Sequence, residues 1–176
     1  MKKLIGFVAI LLPLFVVLSV SATAPPNFAG TWVLDKSKSQ NLPRGWQEAE
    51  SVTMVITQNE KQVTVEPKVT ATAMTGGYGG RGSGGMMGPA TYNLDGSEVT
   101  SEGERGKSIT KAAWSKDGSA LELSAKRTFT TPNGEVTSTS TDKLSLSADG
   151  KVLTDARHSE GPRGPQDSTL VFNKKE

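Results

Sequence analysis

The stretch "WSKDGSALELSAKRTFTTPNGEVTSTSTDKLSLSADGKVL", residues 114–153, indicates the fold of this chain. It carries three dipeptides that tolerate the positive φ values of tight hairpin turns: Asp117-Gly118, Asn133-Gly134 and Asp149-Gly150. They recur sixteen residues apart, and the runs between them are rich in β-branched residues and lack a helical period. The stretch therefore predicts consecutive antiparallel strands.

The same pattern of short runs and turn residues extends over most of the chain. Ten strands are predicted, at residues 30–34, 51–58, 62–70, 89–94, 97–101, 107–115, 119–131, 135–147, 151–158 and 167–173. We predict an all-β fold, an antiparallel up-and-down β-barrel of 8–10 strands, because closure removes exposed sheet edges where no helix layer covers the sheet. A two-sheet sandwich is the alternative. Residues 43–50 predict a short helix, since Pro43 suits a first helical turn.

The N-terminus has the layout of a secretory signal peptide. Two lysines precede an apolar run over residues 4–20, and small residues follow. An uncleaved membrane anchor is the alternative, but the run is short for a spanning helix and contains Pro13. We expect residues 1–22 to be removed and residues 23–176 to form a single domain that is periplasmic or secreted.

Charge and cysteine content narrow the classes of partner. The chain has 20 basic and 18 acidic residues, and two of the basic ones lie in the expected signal peptide, so the mature charge is near zero. A nucleic-acid partner is therefore not expected. There is no cysteine, which excludes disulfides and a lipidated N-terminal cysteine. We expect no stable membrane anchor after cleavage, and no cofactor.

The connections between strands separate the two ends of the expected barrel, because successive connections of a meander alternate between ends. Short turns fall at one end, at Asn59, Asp95, Asp117 and Asp149. Mostly longer connections fall at the other, at residues 35–50, 71–88, 102–106, 132–134 and 159–166. The second end is the predicted mouth, with residues 71–88 as a flexible glycine-rich loop. Six exposed residues there are predicted to contact a ligand or partner: Arg44, Trp46, Tyr78, Arg81, Arg105 and Arg163.

Arg127 is a further candidate ligand-binding residue. Under period-two alternation it shares a face with the apolar Leu121, Leu123, Ala125 and Phe129. An arginine directed into a barrel needs a carboxylate, backbone carbonyls or an anionic ligand, because a bare buried charge is costly. A structural ion pair and a ligand contact both remain open for it.

Two glycine motifs are not expected to bind phosphate. The glycine-rich segment contains the G-x-G-x-x-G spacing, but Pro89 and another strand follow it instead of the helix that a dinucleotide site requires. Gly106-Lys107-Ser108 ends like a P-loop, but Ser101 stands where the first glycine is needed.

Catalytic and metal chemistry have little support in the sequence. His158 is the only histidine, and its acidic neighbours Asp155 and Glu160 are of the kind that any surface loop carries. Met86 and Met87 lack the further ligand that a copper(I) site needs. No nucleophile, base and orienting group converge, so we expect no enzyme and no metal site.

"NFAGTWVLDKSKS", residues 27–39, resembles the opening of the lipocalin and fatty-acid-binding (calycin) barrels, whose first strand carries Gly-x-Trp. "GTWVLDKSKS" through "LSLSADGKVLTDARHSEGPRGPQDSTLVFNK" also resembles uncharacterised exported bacterial lipocalin-like proteins. The resemblance implies structural roles for Gly30 and Trp32, with the Trp32 ring closing the barrel floor and stacking on Arg127 or Arg157.

The ligand class follows less directly from that resemblance. The Arg-x-Tyr carboxylate clamp of the fatty-acid-binding group has its nearest counterpart in Arg127-Thr128-Phe129, which lacks the hydroxyl. We predict a binding barrel that takes a small, partly apolar or amphipathic ligand. The alternative is a barrel filled by its own side chains that binds a protein or envelope polymer. The predicted core is Val52, Met54, Ile56, Leu121, Leu123, Phe129, Leu144, Leu146 and Leu170.

Overall fold

A computed structural model of the chain describes residues 24–70, 88–103, 106–132 and 134–176. The predicted signal peptide and nearly all of the glycine-rich loop lie outside these residues. The strands are β1 (Gly30–Leu34), β2 (Ser51–Gln58), β3 (Gln62–Thr70), β4 (Ala90–Asn93), β5 (Val99–Gly103), β6 (Gly106–Trp114), β7 (Ala120–Thr131), β8 (Gly134–Leu146), β9 (Val152–Glu160) and β10 (Gln166–Lys174). The helix is α1 (Arg44–Gln47). Each strand begins and ends within two residues of its predicted position.

The strands form one antiparallel sheet that closes into a barrel. Their order is β4-β3-β2-β1-β10-β9-β8-β7-β6-β5, and the pairing of β1 with β10 joins the two halves. The sheet edges, β4 and β5, lie next to each other. Across this opening the Thr110 hydroxyl donates to the Thr91 carbonyl at 2.5 Å. The prediction of an up-and-down barrel is confirmed, and the sandwich alternative is wrong.

Side-chain alternation and turn chemistry together explain the strand register. On β2, Val52, Met54 and Ile56 are buried while the residues between them are partly exposed. In the β6–β7 turn, Asp117 accepts hydrogen bonds from the Ser115 hydroxyl at 2.6 Å and the Ser119 amide at 3.1 Å. Turns of this kind fix which residues face each other, so the apolar set of each strand stays on the inner face.

The barrel floor is built around two aromatic side chains near the N-terminus. Phe28 and Trp32 are fully buried, and the Trp32 indole N–H donates to the Phe28 carbonyl at 2.9 Å. The cation over the Trp32 ring is Lys174, with Nζ 5.4 Å from the ring centroid. The prediction that Arg127 or Arg157 stacks there is therefore wrong, because the end of β10 already supplies a cation beside β1.

Most of the predicted core is buried as expected. Seven of the nine residues have an exposed fraction of at most 4%. Leu146 is partly buried against the core. Phe129 is also only partly buried, because it lies towards the open end of β7, so its assignment to the core is wrong.

The two ends of the barrel differ in their connections, only partly as predicted. Short turns crowd the floor end, where the Leu94 amide donates to the Lys61 carbonyl at 2.8 Å. At the other end the segment before α1 crosses β10, where the Ser168 hydroxyl donates to the Asn41 carbonyl at 2.7 Å. That end, which we call the mouth, carries the two longest connections, residues 35–50 and 71–89. It also carries the two shortest, of two residues each, between β5 and β6 and between β7 and β8. Within the described residues, no helix is long and apolar enough to cross a membrane.

Candidate functional site

A small cavity lined by both polar and apolar side chains lies inside the barrel beneath α1. We call it the inner cavity. Its ionisable and hydroxyl side chains are Tyr92, Arg127, Ser140, Asp142, Asp155 and Arg157. Its apolar wall includes Trp46, Met54, Leu123 and Leu144. It leaves about 40 Å³ for the centres of water molecules, which is room for about three waters.

An ion pair crosses the inner cavity between β8 and β9. Asp142 and Arg157 are directly opposite in the strand register, and Arg157 Nη1 lies 3.1 Å from Asp142 Oδ1. The Arg157 side chain is only 14% exposed and the Asp142 side chain only 12%. Burial raises the pKa of the Asp142 carboxyl, and the neighbouring Arg157 charge opposes that rise. Because Arg157 favours the charged form, we assign the carboxylate of this cluster to Asp142.

Asp155 is the least exposed ionisable group of the cavity. It is 1% exposed, and its Oδ1 has no hydrogen-bond partner among the described residues. Burial, reinforced by the charge of Asp142, raises its pKa well above the usual range, although Arg157 acts in the opposite direction. The carboxyl therefore keeps its proton to higher pH than an ordinary aspartate does.

Tyr92 supplies a neutral hydroxyl to the same cavity. The residue is 4% exposed, and burial, with a smaller contribution from Asp142, raises its pKa to about 12. The phenol consequently stays protonated near neutral pH. It is able to donate one hydrogen bond and to accept others.

Arg127 points inward, as the alternation of β7 predicted, and is partly buried. It also lines a mouth cavity of about 500 Å³, open to solvent, whose apolar lining includes Ala125, Phe129, Val136 and Pro162. A side cavity between β4 and β5 reaches the same arginine. Among the residues that the structure describes, the Arg127 side chain forms no hydrogen bond or ion pair. Arg127 therefore lines all three cavities, and its guanidinium is available to a ligand.

The other predicted contact residues separate into different positions. Arg163 is exposed and lines the mouth cavity, whereas Arg44 is exposed on α1 and lines none of these three cavities. Trp46 is 3% exposed and packs edge-on against Phe172, with ring centroids 6.3 Å apart, so its predicted exposure is wrong. The reason is that α1 turns its indole towards the barrel. Tyr78, Arg81 and Arg105 lie outside the described residues.

His158 lies on the outer face of the barrel. Its Nδ1 is 2.6 Å from Asp167 Oδ1, and its side chain is 48% exposed. The hydrogen bond with Asp167 raises its pKa. It lines none of the three cavities at Arg127.

The expectation that Asp155 lies on the surface is wrong. On β9 it alternates in phase with the buried Leu153 and with Arg157, and on β8 Asp142 alternates in phase with Leu144. That phase is visible in the sequence. It was the signal that could have placed both carboxyls inside the barrel.

Comparisons with known proteins agree with the fold. No protein-family model matches the chain, and no curated protein matches it. Among solved structures, the chain is similar to a secretory abundant heat soluble (SAHS) protein from Ramazzottius varieornatus, with a TM-score of 0.50 and 12% identity over 84% of this chain and 94% of that one. It is also similar to zebrafish ileal bile acid-binding protein complexed with cholic acid, with a TM-score of 0.47 and 13% identity over 84% and 98%. The predicted lipocalin-like, calycin-type fold is confirmed.

Proposed function

We propose that this protein is exported and that it binds a small, partly apolar anion at the mouth of its barrel, without catalysing a reaction. The observation that carries the proposal is the Arg127 guanidinium, which lines three cavities and forms no ion pair among the described residues.

The charges of the inner cavity support an anionic partner. Arg157 is matched by Asp142 at 3.1 Å, while the raised pKa of Asp155 favours its neutral form. The Arg127 guanidinium, by contrast, forms no ion pair with a carboxylate among the described residues. An anion offers the charge-assisted hydrogen bonds that this guanidinium lacks.

The shape of the spaces supports a ligand with an apolar body. The inner cavity, at about 40 Å³, holds only a few water-sized groups, whereas the mouth cavity offers about 500 Å³ beside Phe129 and Val136. A ligand would therefore rest its apolar part in the mouth cavity and direct its charged end at Arg127. The lining of the mouth cavity also carries polar side chains, among them Ser138, Glu160 and Arg163.

Decanoate is a suitable probe, with decanol as its uncharged match, and isothermal titration calorimetry reports both. We expect the protein to bind decanoate more tightly than decanol. Arg127→Gln should weaken decanoate binding about tenfold or more, because it removes charge-assisted hydrogen bonds. Lys126→Gln is the matched control, since Lys126 is exposed on the outer face of the same strand. Equal decanoate affinity in the Arg127 and Lys126 variants would contradict the proposal.

Export has its own test. The intact mass of the protein recovered from the envelope or medium of its native cells should correspond to residues 23–176. Recovery of the complete chain from those fractions would contradict cleavage after residue 22.

The small volume of the inner cavity favours a second candidate function. A barrel filled by its own side chains would bind a protein or an envelope polymer through Arg44 and Arg163, which are exposed at the loop end. This candidate predicts no binding of decanoate. It also predicts capture of a partner that is lost when both arginines are changed to glutamine.

A further inference from the structure

We propose that the inner cavity is a polar subsite that accepts a hydroxyl group carried next to the anionic end of the ligand, with Asp155 as the acceptor. The preferred ligand class is then a hydroxylated acid with an apolar body. This inference rests on the proposed function, because Arg127 must hold the anionic end for the hydroxyl to reach Asp155.

Asp155 is the central residue of this subsite, because its side chain is buried and one of its oxygens lacks a hydrogen-bond donor among the described residues. It is 1% exposed, it lines the inner cavity, and its Oδ1 has no hydrogen-bond partner among the described residues. Buried carboxyl oxygens in folded proteins nearly always have a donor, from the protein, from water or from a ligand. The inner cavity, which Asp155 lines, is where such a donor would lie.

Asp142 supplies a second acceptor to the same space. Its Oδ1 is 3.1 Å from Arg157 Nη1, yet it also lacks a hydrogen bond among the described residues, so the ion pair leaves acceptor capacity unused. The buried phenol of Tyr92, which stays protonated, lines the cavity as well. A hydroxyl group donates one hydrogen bond and accepts others, which matches this mixture of acceptors and a donor.

A neutral donor fits the cavity better than a cation. Arg127 and Arg157 both line it, so an ammonium group would meet two guanidinium charges. A hydroxyl avoids that repulsion. Asp155 can accept from it in either protonation state, because a protonated carboxyl retains its carbonyl oxygen. The volume of about 40 Å³ also admits only a small group.

The test compares decanoate with 2-hydroxydecanoate and 3-hydroxydecanoate by isothermal titration calorimetry. The protein should bind at least one hydroxy acid about tenfold more tightly than decanoate, which corresponds to one additional buried hydrogen bond. Asp155→Leu should remove this preference. Asp155→Asn, which keeps a carbonyl acceptor, should retain most of it, and Arg127→Gln should weaken all three acids by a similar factor.

The outcomes separate this inference from the function on which it rests. If no acid binds, the proposed function fails and the subsite fails with it. If the acids bind with equal affinity, the anion site stands and the inner cavity holds only water, which overturns the subsite. A preference that persists in a folded Asp155→Leu variant also overturns it, since the hydroxyl must then lie elsewhere. Should that variant not fold, equal affinities in the unaltered protein remain the decisive negative result.

Discussion

Replacing Asp155 with asparagine should change how the stability of the barrel depends on pH. Asp155 is 1% exposed, and burial raises its folded-state pKa well above the ordinary value of 3.8. Between those two pKa values the folded protein holds a proton that the unfolded chain has released. Stability must therefore fall as pH rises through that window, and asparagine, which cannot ionise, removes the effect.

The linkage relation sets the size of this change. One proton bound by the folded state alone gives a slope of about 1.4 kcal/mol per pH unit. The free energy of unfolding of Asp155→Asn, minus that of the unaltered protein, should thus begin to rise near pH 4. It should continue to rise until the pH passes the folded-state pKa, with a slope of at most about 1.4 kcal/mol per pH unit. Above the folded pKa the difference should become constant.

Urea unfolding followed by tryptophan fluorescence measures this difference across pH values from about 4 to 8. Asp149→Asn is the matched control, because hydrogen bonds from Ser147 and Lys151 lower the pKa of the exposed Asp149 carboxyl. The stability that this group contributes changes only below its unfolded pKa of 3.8, so its difference curve should stay nearly flat between pH 4 and 8. A flat curve for Asp155→Asn would refute the assignment of a buried, proton-holding carboxyl.

Two further substitutions test the barrel by the same unfolding assay. Gly106→Ala should cost about 1–3 kcal/mol more than Gly118→Ala. Both glycines have positive φ, 137° at Gly106 and 71° at Gly118. Of the two, only Gly106 would place its new Cβ against a backbone oxygen, that of Thr128 at 2.0 Å. Equal losses of unfolding free energy in the two variants would contradict this explanation. Arg157→Met should cost about 3–5 kcal/mol at neutral pH, since it leaves Asp142 buried and unpaired. The loss should shrink in acid, and Arg44→Met, which changes an exposed residue, should stay within about 0.5 kcal/mol.

The strands were predictable because their determinants are local. Alternation such as Val52, Met54 and Ile56 selects one face of a strand, and dipeptides such as Asp117-Gly118 select a turn. The inward direction of Arg127 followed from the same rule. So did the separation of floor and mouth, since connections alternate between ends in any meander.

The partners of individual side chains were not predictable in this way. Trp32 was expected beside a late-strand arginine, yet Lys174 is the cation over its ring. Trp46 was expected at the surface, yet α1 turns it inward onto Phe172. Both contacts involve β10, which pairs with β1 to join the two halves of the sheet. No local pattern encodes that pairing, because the two strands lie at opposite ends of the chain.

The sequence by itself determined the all-β architecture, the strand boundaries to within two residues and the face on which Arg127 lies. Only the tertiary structure decided that Asp142 pairs with Arg157, while one oxygen of Asp155 has no hydrogen-bond partner among the described residues. The physical reason is that alternation reports the direction of a side chain along its own strand. Charge pairing and desolvation depend on which residues of other strands lie opposite when the barrel closes.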